Sequence, residues 1–419
     1  MDTRRDPLPF PSHPLGVVLL LLWPALGGCG SEGPAAVRTQ VRDSAGVTIV
    51  ESSALPERGY GGWTLEQSPF LTIGTLEGDT LYQLYDISGG IRLRDGRIVI
   101  SDAGSAQLRV FGPDGSAQGN WGREGEGPGE FQSVRVMGSL PGDTLVVLDG
   151  RLRRISLFHP DVGFLGQSSI DEEVGLTYVS NGMFGDGSIV FGGGLTFGPG
   201  GDTPTDGLSR SATHYRSATL SGDLGADFGS IPGSEFFMRS QGGGGEFYIT
   251  ATLIPFGRRP AAFARGDRLF LGSADTYEIS GFDPEGRLNR IIRVLQPLPP
   301  VSSQDVERHI EEEVAELEDP SGAPTLRSSL RDMPTPETMP AYQGLLLDED
   351  GFLWVEDFRQ PGQGHRTWTV FDRDGTPRTR LSLPSDNRVL EIGEDYLMAV
   401  FEDQLGVQYL RLYALHRGT

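Results

Sequence analysis

Few side chains in this chain are placed to make or break bonds. Cys29 is the single cysteine among 419 residues, and it follows an apolar run from Leu15 to Leu26 and two glycines. One thiol can neither form an internal disulfide nor supply a Cys-based zinc site. All of the basic residues are arginine. The absence of lysine excludes Schiff-base and general-base lysines and a Walker-type phosphate loop. No Gly-x-Ser-x-Gly elbow occurs, so a hydrolase serine has no strand-to-helix turn to stand on. His13 lies in the apolar leader's flank, and His159, His214, His309, His365 and His416 are scattered without metal-ligand spacing.

Carboxylates and aromatics remain. The loop Gly125-Glu-Gly-Pro-Gly129 is glycine-rich, but Glu124, Glu126 and Glu130 would repel a phosphate. It reads as a structural turn. No cofactor is expected; such oxygen ligands suit a hard cation, calcium first, but no Asp-x-Asp-x-Asp cage is present. Binding chemistry is better represented. Trp121, Arg123 and Phe131 lie on one loop segment, and Phe236, Phe237, Phe247, Tyr248, Arg258 and Arg259 lie on another. Interleaved aromatics and arginines are what interfaces and glycan grooves use. A formal charge of −22 argues against nucleic acid, whose binding depends on phosphate neutralisation.

The elements that must position these residues are strands. Sixty glycines and 29 prolines indicate many turns. Similar units recur: Leu93-Arg-Asp-Gly-Arg-Ile-Val-Ile-Ser101 leading to Leu108-Arg-Val-Phe-Gly-Pro-Asp-Gly115, and Asp350-Gly-Phe-Leu-Trp-Val355 leading to Trp368-Thr-Val-Phe-Asp-Arg-Asp-Gly375. Each is a glycine turn, a strand, a short loop, an alternating strand and an Asp-Gly-type turn. Hairpin turns need such residues because they hold positive φ. The turn glycines Gly96, Gly142, Gly187, Gly266, Gly351 and Gly393 mark six units. Three of the intervals match the period of roughly 40–50 residues of a propeller blade, and two are nearly double, each holding an insertion.

The chain therefore reads as all-β, a single six-bladed propeller over residues 46–419. The segment from Gly46 to Gly74 is expected to complete the last blade, hiding its edge. Residues 302–319 carry Val306, Ile310, Val314 and Leu317 and precede Pro320, which predicts one inserted amphipathic helix with His309 toward solvent. Ser234 to Arg259 reads as a long loop or hairpin arm. The apolar run with small residues behind it is a secretory signal, too short to span a membrane comfortably.

Leu26-Gly-Gly-Cys29 resembles the lipobox of bacterial lipoproteins. That resemblance implies that residues 1–28 are removed, that Cys29 is diacylated as the mature N-terminus, and that residues 29–45 form a tether. Asp102-Ala-Gly-Ser-Ala-Gln-Leu-Arg-Val-Phe-Gly-Pro-Asp-Gly115, followed by Gly122-Arg-Glu-Gly-Glu-Gly-Pro-Gly-Glu-Phe131, resembles an NHL-type repeat. The other units match that repeat only as strands and turns. The whole chain resembles exported six-bladed β-propeller lipoproteins of environmental bacteria, through Val41-Arg-Asp-Ser-Ala-Gly-Val-Thr-Ile-Val-Glu51, Pro340-Ala-Tyr342 and Asp403-Gln-Leu-Gly-Val-Gln-Tyr-Leu-Arg-Leu-Tyr413. This likeness implies a fold and no settled activity.

The expectation is a monomeric cell-envelope lipoprotein, on the periplasmic face or the cell surface, touching the membrane through its lipid alone. It would bind a protein, peptide or glycan without catalysis, with a calcium-dependent, lactonase-like propeller hydrolase as the alternative. Cys29→Ser is expected to abolish incorporation of labelled fatty acid and to release the protein from membranes on fractionation. Persistent membrane association of that variant would overturn the lipid assignment.

Overall fold

Alternation at period two sets the local structure. In the strand Ile87–Arg92 the residues Ile87, Gly89 and Ile91 are buried and their neighbours are half-exposed. Strands such as Ile98–Asp102 are buried throughout because both faces of their sheet are covered. The structure, a computed structural model, describes residues 37–174, 179–193, 206–243 and 246–418. Cys29 and the leader lie outside them.

The described residues form an all-β, propeller-like body of successive antiparallel meanders. The first two are four-stranded, covering 87–121 and 134–169. The third (179–232) and fourth (261–294) join into one ten-stranded sheet, because their edge strands Val179–Phe184 and Ala261–Gly266 pair in parallel. Gly182 permits that approach: it sits at φ +89°, and a side chain there would strike the backbone of Ala264. The fifth covers 342–384 and the sixth 387–416. Of the six anchor glycines, Gly96, Gly142, Gly187, Gly266 and Gly351 hold φ between +64° and +90°. Gly393 instead leaves room for the ring of Tyr396.

Apolar side chains from consecutive meanders share clusters. Phe131, Val134 and Leu145 meet Ile91 and Leu108 between the first and second. Trp354, Trp368 and Val370 meet Ile392, Leu397 and Tyr413 between the fifth and sixth. Ile87, Ile98 and Phe111 of the first meet Met398, Leu410 and Leu412 of the sixth.

The N-terminal strands divide between two places. Leu71–Ile73 pairs antiparallel with Leu410–Leu412, beside a short pairing of Thr64–Leu65 with Leu415 and His416. Val47–Ser52, expected on the last blade with them, instead runs parallel to Leu288–Val294 of the fourth meander. Its Val50 is wholly buried and lies near Ile292, both of them beside Gly375 of the fifth meander. Thr39–Ser44, within the stretch read as tether, folds back on Val47–Ser52 as a strand.

Among the described residues two α-helices are present where one was expected. The first, α1 (Ser303–Ala315), begins at a capping box in which Ser302 and Asp305 exchange side-chain and backbone hydrogen bonds. Pro320 ends its run but opens a 3-10 turn, Pro320–Gly322, into α2 (Ala323–Arg331). Pro324 in the first turn of α2 is a start signal, since its missing N–H has no partner there anyway. Ile310, Leu330 and Met333 are buried between the helices, and Arg331–Glu307 (2.8 Å) and Arg327–Glu311 (2.9 Å) bridge them outside. Exposed pairs of this kind contribute little, so the apolar contacts hold the pair together.

Ile73 is 1% exposed and Val41 is 64% exposed. Ile73→Ala is expected to lower unfolding free energy by about 2–5 kcal/mol, and Val41→Ala to stay within about 0.5 kcal/mol. Urea denaturation of the two variants tests whether the Leu71–Ile73 pairing is structural.

Candidate functional site

The described residues enclose a cleft of about 660 Å³ between the arm, the two helices and the fifth meander. The arm is a hairpin of Phe236–Gly243 and Glu246–Leu253, extended to three strands by Gly207–Ser209. Its outgoing end, Thr252 to Gly257, makes one wall. There Phe256 holds φ +57°, a left-handed conformation uncommon for a residue with a side chain. Its ring is fixed between His309 (5.5 Å between centroids) and Phe358 (6.2 Å). His309, expected toward solvent, is thereby turned inward against the arm, with Nδ1 3.8 Å from Glu313. Leu330 and Met333 add to the apolar lining.

The polar groups of the cleft are mostly committed to each other. Glu356 accepts from Arg366 Nη1 at 2.7 Å and from Gln343 Nε2 at 2.9 Å. The Gln343 side-chain oxygen accepts from the Arg359 backbone at 3.1 Å. Glu312 accepts from Arg359 Nη2 at 3.3 Å and from the Gly362 N–H, tying α1 to the loop 358–364. Arg259 is different. It lines the cleft, and among the described residues no carboxylate ion-pairs with it. Burial draws its guanidinium below the ordinary value, opposed by the nearby charge of Glu313, and an arginine stays cationic under such a shift.

Of the residues singled out from the sequence, Arg259 enters this cleft and Phe237 stands behind it. Phe237 packs on the helix cluster and lies under Arg239, 5.1 Å from its ring centroid. Phe236 pairs with Leu253 across the hairpin. Phe247 and Tyr248 face Gly242 and Gln241 in the register, and their side chains lie outside the described residues. Arg258 is a brace: its backbone N–H reaches Glu235 at 2.7 Å and its Nη2 reaches Thr338 at 3.0 Å.

Trp121, Arg123 and Phe131 line no part of the cleft. Phe131 is wholly buried and has no surface with which to meet a ligand. Trp121 stacks on Phe158, 6.3 Å between centroids. Arg123 is exposed and donates to Glu130 at 2.7 Å. Glu130 also accepts from Gly127 N–H, and these two donors hold its carboxyl below the usual range, so the glycine-rich loop closes on its own acid. Among the described residues no three His, Asp or Glu side chains gather as metal ligands.

Sequence reasoning missed His309, Glu312, Gln343, Glu356, Phe358, Arg359 and Arg366 as cleft residues, because they come from α1 and the fifth meander, far from the arm in sequence. The Leu326, Leu330, Met333 spacing, apolar at helical intervals, was the available signal for α2.

No known family's sequence profile matches the chain, and no curated protein sequence matches it. Among solved structures, it is similar to a candidate exported protein of Bacteroides fragilis, at 10% identity and TM-score 0.46, covering 88% of this chain and 99% of that one. It is also similar to a member of the duf4221 family from Bacteroides vulgatus, at 10% identity and TM-score 0.45, covering 86% and 100%. Virginiamycin B lyase from Staphylococcus aureus aligns at 10% identity and TM-score 0.37, covering 84% and 99%. These likenesses assign no activity to the chain.

Glu312→Ala is expected to free the loop 358–364 from α1, since hydrogen bonds to a charged acceptor contribute about 1.5–3 kcal/mol each. Hydrogen exchange at that loop should accelerate by about 10–100-fold while the strands stay protected. Unchanged exchange at the loop would show that Glu312 does not shape the cleft.

Proposed function

We propose that this chain is an exported, lipid-tethered, six-bladed β-propeller that binds an acidic peptide segment in the cleft under its helices. The observation that carries the reading is Arg259, a cation without a paired carboxylate among the described residues, in a cleft of about 660 Å³. Sites for small ligands occupy about 300–1,000 Å³, mostly apolar with a few placed polar groups. Six blades are supported by the six glycine-marked units and by apolar clusters that join each meander to the next, the sixth meeting the first. Export and tethering rest on the leader and on Leu26-Gly-Gly-Cys29.

A peptide is favoured over a glycan by the edge of the arm. Glu246–Leu253 is the last strand of its three-stranded sheet, so one side of its backbone has no described partner. Its end at Thr252 and Leu253 forms the cleft wall. An extended segment can add to such an edge through main-chain hydrogen bonds, with its side chains reaching the pocket. Glu312 and Glu356 of the cleft are held by fixed donors, which suits recognition more than proton transfer.

The test is fluorescence polarisation of the intact protein with labelled Asp/Glu-rich peptides, matched Asn/Gln peptides and oligogalacturonate. Acidic peptides are expected to bind, and Arg259→Gln to weaken them at least tenfold, about 1.4 kcal/mol. Binding of oligogalacturonate alone would replace the peptide with a glycan. Equal binding by parent and Arg259→Gln would remove the cleft as the site.

A further inference from the structure

A smaller cavity of about 150 Å³ lies beside the cleft, between the fourth and fifth meanders. Phe358 and Arg359 line both spaces, whereas Arg259 lines only the larger. One wall of the smaller cavity is Tyr277, just before the strand Glu278–Phe282. It is 5% exposed, and its ring is set against Tyr342 (5.5 Å between centroids) and Phe371 (6.0 Å). Its hydroxyl is buried and has no hydrogen-bond partner among the described residues. The Thr369 hydroxyl stands beside it without hydrogen-bond geometry and donates instead to Asp357 at 2.8 Å.

The fifth meander supplies the opposite wall. Thr367, Thr369 and Phe371 alternate along the strand His365–Phe371 and so share one face. Thr369 is in register with Val355 on one side and Arg380 on the other, which brings Asp357, two residues beyond Val355, to that face. Asp357 accepts from Thr369 through Oδ1 and from Arg380 Nε through Oδ2 at 3.2 Å, so both of its oxygens are engaged. Thr367 is 6% exposed, lines the cavity, and makes no side-chain hydrogen bond among the described residues. Three arginines and one carboxylate line the cavity. Asp357 answers Arg380, and Glu312, outside the cavity, answers Arg359 at 3.3 Å. Arg58 remains, exposed and without an ion pair among the described residues. The rest of the wall is largely apolar, with Val294, Met339 and Ala341 buried along it.

We propose that this cavity binds a small monocarboxylate with an apolar body, its carboxylate meeting the Tyr277 hydroxyl and the surplus arginine charge and its body lying against Val294 and Met339. The size agrees, since a cavity of about 150 Å³ accommodates a molecule as large as benzene. A buried hydroxyl without a partner is unfavourable, and an ionised acceptor is the strongest partner it can gain. A neutral amide would meet the hydroxyl and leave the arginine charge unanswered. The site does not include Arg259 and stands whether or not the cleft binds peptide.

Thermal unfolding of the intact protein tests the assignment, with ionic strength held constant while chloride is replaced by benzoate or acetate, and with benzamide as the neutral counterpart. A ligand that binds only the folded state raises Tm in a saturable way. Benzoate is expected to do so on the parent. Benzamide, which lacks the charge, and acetate, which lacks the body, should each bind at least about tenfold more weakly. Tyr277→Phe removes only the hydroxyl. It should weaken benzoate about tenfold without lowering Tm in chloride, because no hydrogen bond within the protein is lost. Tyr85→Phe, at an exposed tyrosine, should leave the response unchanged. The proposal fails if benzoate gives no saturable rise on the parent, or if benzamide matches it. A response lost in Arg259→Gln would put the ligand in the cleft and overturn the assignment. It fails equally if Tyr277→Phe keeps full affinity, or lowers Tm in chloride as the loss of a bonded hydroxyl would.

Discussion

The antiparallel pairing of Leu71–Ile73 with Leu410–Leu412 joins residues near the two ends of the described body, inside the apolar cluster that the first and sixth meanders share. Each meander covers an apolar face of the next, so a linear series would leave the first and last with one face each in water. Here Ile87, Ile98 and Phe111 of the first meander meet Met398 and Leu410 of the sixth, and Ile73 is buried among them. Full burial of each large aliphatic or aromatic side chain contributes about 1.5–3 kcal/mol, so this junction is comparable to those between successive meanders. The same pairing covers the side of Gln408–His416 that would otherwise be a sheet edge open to association.

That constraint fixes where the insertions can go. Residues 47–52 and 71–73 both alternate, and both find strands, but in different meanders. Sequence periodicity reports that a segment is a half-buried strand and not which edge it joins. Val47–Ser52 lies parallel to Leu288–Val294, an arrangement that depends on Val50 fitting near Ile292 and beside Gly375. No local signal carries that fit. The strands and turns themselves were legible because Asp-Gly-type turns and alternating Val, Ile and Leu act within a few residues. The first helix was legible for the same reason, through its cap at Ser302. The second was hidden because Pro320 was read as a stop, while Pro324 served as a start.

The cleft was legible only in part, for a related reason. Arg259 and the aromatic arm were visible because they are contiguous. Their partners His309, Phe358, Arg359 and Arg366 come from α1, a loop of the fifth meander and its third strand. Phe131, read as a binding aromatic, is packing and meets Phe158 at 5.7 Å between centroids, while Trp121 is partly buried against the same cluster. An aromatic on a glycine-rich loop can serve either purpose, and only the neighbouring meander decides. Glu130 makes the same point for charge: its partners Arg123 and Gly127 lie within its own loop, so its acidity is spent on the turn.

Charge then becomes informative through its exceptions. The basic residues of this chain are all arginine, a side chain that cannot discard its proton when buried. A buried lysine can ease its desolvation by becoming neutral, whereas an arginine must find a counter-charge or bear the cost. Most arginines here find one in a neighbouring Asp or Glu, and this holds even for Arg417, which reaches the fully buried Asp348 at 3.0 Å. Against that background Arg259 is informative through its place as well as its charge, since it lines the cleft and no described carboxylate ion-pairs with it. In a protein with so large a surplus of acid, a cation kept apart from it in a cleft is the feature on which the proposed binding of an acidic segment rests.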